Sequence, residues 1–332
     1  MQPKNEKVYL KDKAKFGIGA AVSYKDLFTD TVYQRILAEE FNQITCENEM
    51  KMRQIFVSKD KLYFGRADSI IDFATTHSIK VHGHALVWHS SIPKWLKEID
   101  LDSSDFENVV KTYIQQTVTH FKGKVISWDV VNEAISDSAD YLRNSLFRQK
   151  MGDDYIARCF QYARQADPNV KLFYNDYSHE IDSIKLKKIL KLVNNLKSRN
   201  IPIDGIGLQM HTQIGIPAIS QIKQTLEECA KTGLLIHISE LDITVNGMVD
   251  SPGYLTSFEK DMKEAQKIRT YEIVKIFNGL PENQKFAITT WGVSDKSTWL
   301  RTFFHKKKEW PLLFDDNFER KECYYGFYDA IK

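Results

Sequence analysis

The stretch VISWDVVNE at residues 125–133 decides the fold class, because it reads as a buried strand that ends on polar side chains. Its apolar and β-branched residues form a short continuous run, which is typical of a strand covered on both faces in a parallel sheet. The run stops at Asn132 and Glu133, an amide beside a carboxylate. Because functional side chains gather at the carboxyl ends of parallel strands, we expect Glu133 to face a binding cleft.

Similar runs recur along the chain at intervals that leave room for one helix between neighbours. Together with 125–133 there are eight, and the others are 16–22, 41–48, 79–89, 170–177, 203–211, 234–242 and 286–294. Buried strands that alternate with helices predict an α/β fold with a parallel sheet. Eight units favour a (β/α)8 TIM barrel over a doubly wound sheet, because no glycine-rich phosphate loop follows the first strand. We expect one catalytic domain over 1–332, with about 1–15 as an N-terminal extension.

The segment between the third and fourth runs predicts an amphipathic helix. Residues 104–121 open with Ser104 three positions before Glu107, which is the spacing of a capping box. One face of the predicted helix then carries Val110, Tyr113, Ile114, Thr117 and Phe121. We expect this face to pack against the sheet.

Composition excludes several classes of protein and partner. The chain has 332 residues, of which 42% are apolar, and this is enough to fill one large core. Lys and Arg number 46 against 44 Asp and Glu, so the formal charge of +2 provides no field to attract nucleic acid or an anionic membrane. Neither partner is expected. No apolar run of about 18 residues is present to span a bilayer.

The N-terminus and the cysteines bear on the compartment. The first residues, MQPKNEKVYLKDKAK, lack the apolar segment of a signal peptide, so we expect either a cytosolic protein or a secreted one after processing, with secretion preferred. Four cysteines lie far apart without C-x-x-C spacing, and they are Cys46, Cys159, Cys229 and Cys323. This spacing predicts buried free thiols instead of a zinc site, a redox pair or a disulfide scaffold.

Polar and aromatic side chains cluster at the last residues of the predicted strands. In a barrel these strand ends share one face, where residues that are distant in sequence converge on one cleft. The residues at these positions are Glu47, Asn48, His84, Trp88, Asn132, Glu133, Asn175, Tyr177, Gln209, His211, Glu240, Asp242 and Trp291. The sequence therefore predicts one site at the carboxyl face of the barrel.

Two of these residues, Glu133 and Glu240, form a pair of carboxylates on opposite sides of the predicted rim. Cleavage of a glycosidic bond needs one protonated carboxyl group to assist the leaving oxygen and one ionised group on the other face of the sugar. Tryptophans such as Trp88, Trp291 and Trp299 supply flat surfaces that pack against the C–H bonds of sugars. This set of residues predicts a glycoside hydrolase that needs no metal and no cofactor.

The same motifs resemble those of the glycoside hydrolase family 10 endo-β-1,4-xylanases. The similarity runs in the family's order from about residue 16 to residue 318. It rests on TCENEMK (45–51), GHALVWHS (83–90), WDVVNEA (128–134), YNDY (174–177), IGLQMH (206–211), GLLIHISELDI (233–243) and WGVSDKSTW (291–299). The resemblance implies an endo-acting enzyme that cleaves internal β-1,4-xylosidic bonds of xylan with retention of anomeric configuration.

The resemblance also implies a role for each site residue. Glu133 matches the general acid/base and Glu240 the nucleophile of a double displacement through a covalent glycosyl-enzyme intermediate. His211 is expected to hydrogen-bond the nucleophile with Asp242 behind it, and Asn132 to contact the 2-hydroxyl of the sugar being cleaved. The implied substrate-binding residues are Lys51, His84, Trp88, Gln209 and Trp291 around that sugar, Glu47, Asn48 and Trp299 at the next sugar towards the non-reducing end, and Tyr177 on the leaving-group side.

Three positions depart from the family pattern. Ser91 stands where the pattern usually carries a Gln that crowds the C5 side of the sugar, which bears on the discrimination of xylose from glucose. Met52 replaces a common aromatic residue, and Ser178 stands in place of an amide. None of the three changes either glutamate.

Three other functions fit part of the sequence. A β-1,4-glucanase or cellulase on the same scaffold would share both carboxylates. A carbohydrate-binding barrel without catalysis is disfavoured because both glutamates are present. A metal-dependent barrel hydrolase could use His82 and His84 with His211 and Asp242, but it would leave Glu133 and the tryptophans without a role.

The expected partners are xylan and xylo-oligosaccharides, and the chain is expected to be a monomer. The basic segment HKKKEW at 305–310 follows the eighth predicted strand. We interpret it as a candidate contact for acidic side branches such as glucuronate.

Overall fold

Eight parallel strands close into a barrel in the computed structural model, which describes residues 8–246, 255–303 and 308–331. The strands are β1 (Gly17–Val22), β2 (Gln43–Cys46), β3 (Lys80–Gly83), β4 (Val125–Asn132), β5 (Lys171–Asp176), β6 (Gly205–Leu208), β7 (Leu235–Thr244) and β8 (Lys285–Thr290). Each strand pairs in parallel with the next, and β8 pairs with β1 to close the sheet. The prediction of a (β/α)8 barrel is confirmed.

Helices surround this sheet and connect its strands. Those in the described residues are α1 (Leu10–Lys13), α2 (Tyr24–Thr29), α3 (Thr31–Glu40), α4 (Met52–Ile55), α5 (Gly65–Thr76), α6 (Lys94–Glu98), α7 (Ser103–His120), α8 (Leu146–Met151), α9 (Tyr155–Ala166), α10 (Ser183–Ser198), α11 (Ile219–Ala230), α12 (Lys260–Asn278), α13 (Trp299–Phe303) and α14 (Glu322–Ala330). Single 3₁₀ turns occupy His89–Ser91, Glu282–Gln284 and Asp295–Ser297. Because the helices cover the outside of the sheet, both faces of each strand are buried, which explains the continuous apolar runs.

The predicted helix after the third strand is α7, but its cap differs from the prediction. The side chain of Asp102 accepts a hydrogen bond from the Asp105 amide at 2.8 Å, so Asp102 is the N-cap and Ser104 lies inside the first turn. The Ser104–Glu107 capping box is therefore wrong, because a carboxylate two residues earlier takes the free amides of the first turn. The predicted apolar face is buried, from Val110 to Phe121.

Two predicted strands are interrupted at the carboxyl face. The run 79–89 divides into β3 and a short strand, Val87–Trp88, which pairs with Val131 and Asn132 of β4. The run 203–211 divides into β6 and His211–Gln213, which pairs with residues 242–244 of β7. These short strands extend the sheet beyond the barrel, and this extension holds Trp88 and His211 beside the strand ends.

Other features of the described residues concern the cysteines and the helices. All four cysteines are buried and free, as the spacing predicted. None of the helices in the described part of the chain is both long and apolar enough to cross a bilayer. Two small strands, Phe56–Ser58 and Lys61–Leu62, form a hairpin between β2 and α5. Lys306 and Lys307 of the basic segment lie outside the described residues.

Candidate active site

A cavity of about 750 Å³ opens at the carboxyl ends of the barrel strands. All of the residues predicted to be catalytic or to bind substrate line its wall except Asp242, and Asn175 at the end of β5 also lies outside the wall. Residues that were not predicted also line it, and these are Arg53, His89, Ser90, Ser178 and Thr302. Of the three departures from the family pattern, Ser91 and Met52 are buried away from this wall, whereas Ser178 forms part of it. The structure thus brings residues from all parts of the barrel to one cleft.

Glu133 directly follows β4 and adopts an unusual backbone conformation. Its φ angle is +57°, in the left-handed region that a non-glycine residue occupies only at a cost. Its amide donates to the Asn175 carbonyl oxygen at 2.9 Å, and its own carbonyl oxygen accepts from Nε of Arg143 at 3.1 Å. These bonds hold a conformation that turns the side chain away from the barrel wall and towards the cavity.

The half-buried carboxylate of Glu133 is surrounded by neutral hydrogen-bond donors. Nε1 of Trp88 donates to Oε2 at 2.8 Å. Oε1 accepts from Nε2 of Gln209 at 3.0 Å and from Nδ2 of Asn132 at 3.3 Å. No cationic side chain of the described residues forms an ion pair with this carboxylate. The side chains that hold this carboxylate in place are therefore neutral.

Glu240 lies within β7, four residues before the strand ends, because the strand is longer than the predicted run. The pairing of β7 with β8 is irregular between Ile238 and Leu241, and this irregularity includes Glu240. Irregular pairing of this kind redirects side chains and is common beside functional sites. Glu240 is only 5% exposed, and its Oε1 accepts from Nδ2 of Asn175 at 2.8 Å.

Glu240 has an ionised carboxylate because cations surround it. Burial by itself would raise its pKa, but the charges of His84, His211 and Lys51 and the hydrogen bond from His211 outweigh burial, and they lower the pKa from its usual value. The nearest of these contacts joins Nε2 of His211 to Oε2 of Glu240 at 3.4 Å. Such a group suits nucleophilic attack, which requires the ionised form.

His211 connects Glu240 to a second buried carboxylate. Its Nδ1 lies 2.9 Å from Oδ2 of Asp242, and the same oxygen accepts from Nε1 of Trp299 at 2.8 Å. Burial would lower the pKa of His211, but Asp242 and Glu240 together raise it to about 10. His211 is therefore positively charged at neutral pH. Asp242 stands behind it, outside the cavity wall, and keeps both His211 and Trp299 in place.

Amide side chains bridge the two glutamates. Oδ1 of Asn132 accepts from Nδ2 of Asn175 at 3.0 Å and from Nε2 of Gln209 at 3.3 Å. Since Gln209 also bonds Glu133 and Asn175 also bonds Glu240, the network is continuous from one carboxylate to the other. Asn175 was given no role from the sequence, although its place at the end of β5 was a usable signal.

His84 and Lys51 line the cavity beside Glu240. Nδ1 of His84 bonds Oδ2 of Asp129 at 2.8 Å, and Nε2 of His82 lies 3.0 Å from the same oxygen. Burial would raise the pKa of Asp129, but the two histidines hold it well below its usual value. Nζ of Lys51 lies 4.8 Å from the centroid of the Trp88 ring. Burial lowers the pKa of Lys51, and the charges of Glu240 and Glu47 oppose that effect.

Two residues that follow β2 form another part of the wall. Nδ2 of Asn48 donates to Oε1 of Glu47 at 3.4 Å. Burial raises the pKa of Glu47, and the charge of Lys51 acts in the opposite sense. Both residues lie half-buried in the same cavity as the glutamates. They present carboxylate and amide hydrogen-bonding groups to this part of the cavity.

Tyr177 is held by three charged residues that the sequence did not single out. Its hydroxyl donates to Oδ2 of Asp137 at 2.5 Å and accepts from a terminal nitrogen of Arg143 at 2.9 Å. Nζ of Lys185 lies 3.4 Å from its ring centroid and 2.7 Å from Oδ1 of Asp137. Arg143 also donates a hydrogen bond to the backbone carbonyl oxygen of Glu133, so Tyr177 and Glu133 share a hydrogen-bond partner. No local sequence pattern indicates this cluster, since its members come from three segments.

The candidate metal ligands do not converge on one point. His82 and His84 are both bound to Asp129, whereas His211 is bound to Asp242. Among residues 8–246, 255–303 and 308–331, no group of three or more His, Cys, Asp or Glu side chains is arranged to hold a metal ion. These histidines instead contact two buried carboxylates, those of Asp129 and Asp242.

Known proteins are similar to this chain in sequence and in fold. The family model described as glycosyl hydrolase family 10 matches residues 7–330. The chain is 38% identical over 340 residues to endo-beta-1,4-xylanase Xyn10C of Cellvibrio japonicus, with coverage of 95% of this chain and 56% of that enzyme. It is 36% identical over 316 residues to endo-1,4-beta-xylanase B of Paenibacillus barcinonensis, with coverage of 93% and 94%.

Solved structures agree with the sequence comparisons. Native xylanase 10C from Cellvibrio japonicus matches with a TM-score of 0.94 at 38% identity, over 98% of this chain and 73% of that chain. A mutant of the same xylanase in complex with xylopentaose matches with a TM-score of 0.94 at 37% identity, over 98% and 69%. The chain spans 56% of the length of the first two curated relatives. By the match over residues 7–330, this chain belongs to glycosyl hydrolase family 10.

Proposed function

We propose that this barrel is an endo-acting β-1,4-xylanase that works with retention of anomeric configuration. Family membership supports the proposal, as do the names of the similar enzymes and the complex of one of them with xylopentaose. The observation that carries it is the pair of carboxylates, Glu133 and Glu240, in one cavity with unequal surroundings. One glutamate is fixed in its ionised form by cations, and the other is held by neutral donors.

In the first step, the ionised carboxylate of Glu240 attacks the anomeric carbon of the sugar being cleaved. A C–O bond forms between them while the glycosidic C–O bond breaks, and Glu133 gives its proton to the leaving oxygen. The network through Asn132, Asn175 and Gln209 keeps both carboxylates in register during this exchange. Retaining enzymes place the two carboxyl groups roughly 5–5.5 Å apart, and the proposal requires this separation between Glu133 and Glu240.

In the second step, water replaces the departed part of the chain. Glu133, now ionised, takes a proton from this water, and the water oxygen forms a bond to the anomeric carbon as the bond to Glu240 breaks. The charge of His211 stabilises Glu240 each time it returns to the carboxylate form. The configuration at the anomeric carbon is inverted twice and is therefore retained.

The other wall residues bind the polysaccharide in this proposal. Lys51, His84, Trp88, Gln209 and Trp291 surround the sugar being cleaved, Glu47, Asn48 and Trp299 bind the next sugar towards the non-reducing end, and Tyr177 contacts the leaving-group side. The natural substrates are xylan and xylo-oligosaccharides. The barrel acts as a single catalytic domain. It is also a monomer, and light scattering on the purified protein tests this oligomeric state.

The decisive experiment is proton NMR of products released from unbranched xylohexaose. The expected result is cleavage at an internal bond with the β-anomer of the new reducing end appearing first and the α-anomer appearing only by mutarotation. Initial appearance of the α-anomer would overturn retention, and release of single terminal sugars would overturn endo action. Rates on xylan and on cellulose, measured in parallel, distinguish a xylanase from a glucanase on the same scaffold.

A further inference from the structure

A second cavity of about 360 Å³ adjoins the proposed active site. Arg53 lines both cavities, so its side chain forms the wall between them. The other residues of the second cavity are Glu49, Gln54, Val57, Tyr63, Arg66 and Ala67. Glu49 directly follows Asn48 and accepts a hydrogen bond from its amide, so this cavity lies beside the residues that bind the next sugar towards the non-reducing end in the proposed function.

The two guanidinium groups of this cavity are exposed and lack acidic partners. Neither Arg53 nor Arg66 forms an ion pair with any carboxylate in the described part of the chain. The Arg66 guanidinium lies over the ring of Tyr24, with its Cζ 5.6 Å from the ring centroid. Exposed arginines next to a binding cleft present paired N–H groups that match the geometry of a carboxylate.

The single carboxylate of the cavity, that of Glu49, is already engaged. Its Oε1 accepts from the Tyr24 amide at 2.9 Å, and its Oε2 accepts from the Asn48 amide at 3.3 Å. These bonds turn the carboxylate towards the backbone that follows β1 and β2. Because Glu49 is held in this way, the charged side chains that remain to meet a ligand are those of Arg53 and Arg66.

An exposed aromatic ring lies beside the arginines. Tyr63 is 49% exposed, although it is a large aromatic side chain. Its ring lies against the start of α5. A Cβ atom at Gly65 would come within 2.8 Å of the tyrosine hydroxyl oxygen. Glycine at position 65 therefore makes room for the ring. An exposed ring beside hydrogen-bond donors is suited to packing against a sugar.

A third cavity on the other side of Arg53 is less suited to an anion. It is lined by Lys94, Trp95 and Glu98, among others. Nζ of Lys94 lies 3.6 Å from Oε1 of Glu98, so this lysine already has an acidic partner. Nε1 of Trp95 donates to the Phe56 carbonyl oxygen at 2.8 Å. The polar groups of Lys94 and Trp95 are thus engaged within the protein, and the carboxylate of Glu98 would repel an anion.

We propose that Arg53, Arg66 and Tyr63 form a subsite for a uronic acid side group of the polysaccharide, on the glycone side of the cleavage point. The two guanidinium groups bind the carboxylate, and the Tyr63 ring packs against the sugar that carries it. This subsite rests on the proposed xylan hydrolysis and makes the enzyme selective for acidic branches. A neutral main chain leaves the two arginines without a ligand.

The test compares two forms of one polymer. Glucuronoxylan is used directly and after chemical reduction of its carboxyl groups to alcohols, so that branching is kept and charge is removed. The wild-type enzyme is expected to show a kcat/KM about tenfold higher on the acidic form at low ionic strength. In the double variant Arg53→Gln, Arg66→Gln the ratio should fall to about one, and about 0.5 M salt should lower it in the wild type.

Arg35→Gln is the matched control, because Arg35 is an exposed arginine on α3 that does not line any of the three cavities. It is expected to keep the wild-type ratio. A wild-type ratio near one, or a ratio that the double variant leaves unchanged, would overturn the subsite. Xylohexaose, which has no branches, reports separately on the proposed function: an enzyme inactive on it fails as a xylanase whatever the polymers show.

Discussion

The two halves of the active site hold chemically identical carboxylates in opposite ways. Glu240 is 5% exposed and lies among His84, His211 and Lys51, whose charges lower its pKa despite burial. Glu133 is half-buried, and its carboxylate receives hydrogen bonds from the neutral side chains of Trp88, Gln209 and Asn132. The difference teaches that the neighbours of a carboxylate, and not its burial alone, decide how strongly its charge is stabilised.

The backbone produces this asymmetry. Glu240 lies inside β7, where irregular pairing with β8 turns it into the floor of the cavity. Glu133 comes after β4 has ended, in a left-handed conformation that carries it towards the opening. A residue in the floor meets the cations of neighbouring strands, whereas a residue near the opening meets solvent and substrate. The following predictions test this contrast, in order of decreasing expected effect.

Removing the charge of Glu240 should have the largest effect on activity. Glu240→Gln is expected to lower kcat on xylan by about 10⁴-fold or more, because an amide cannot form the covalent intermediate. Calorimetric titration with xylopentaose should give an affinity within about threefold of the wild-type enzyme. Turnover at a wild-type rate would remove Glu240 from the nucleophile role and with it the contrast between the two halves.

Removing the carboxyl group near the opening should have an effect that depends on the leaving group. Glu133→Ala is expected to lower kcat/KM on xylo-oligosaccharides by about 10³-fold, within the range that general acid catalysis supplies. Activated aryl xylobiosides need little protonation of the leaving oxygen, so their first step should slow by less than about tenfold. Rapid mixing separates that first step from the slower second one. Equal losses on both substrates would contradict the acid role.

Removing one cation from the floor should shift a pH profile. The pKa of Glu240 is lowered because cations favour its ionised form, so loss of the His211 charge must raise that pKa. In His211→Asn the acid limb of kcat/KM should therefore move to higher pH, and kcat/KM at a fixed pH on that limb should fall about tenfold. An unchanged acid limb with a lower plateau would mean that His211 only positions Glu240.

Loosening the link between Tyr177 and Glu133 should have the smallest effect. Tyr177→Phe keeps the ring but removes the hydroxyl bonds to Asp137 and Arg143. Because one such bond contributes about 1 kcal/mol, kcat/KM on xylohexaose should fall about threefold to fivefold. Tyr325→Phe, at an exposed tyrosine of α14, should have no effect. A loss above about a hundredfold would show that Tyr177 takes part in the chemistry.

Much of the fold was predictable because buried parallel strands have a strong local pattern. The run at 125–133 corresponds to β4 almost residue for residue. The breaks at 84–86 and 209–210 were not predictable, because the short strands Val87–Trp88 and His211–Gln213 form through pairing with distant strands. The cap of α7 was wrong for a simpler reason, since Asp102 and Ser104 are both good caps and the sequence alone does not choose between them.

The sequence by itself determined the barrel and most of the residues that face its cleft. Alternating strands and helices and polar side chains at strand ends are local properties, and they are read directly from the residues. Only the tertiary structure decided that Asn175 joins the two glutamates, that three charged side chains fix Tyr177, and that Arg53 stands between two cavities. The physical reason is that hydrogen bonding and electrostatic interaction depend on distance in space, and these partners are separated by many residues along the chain.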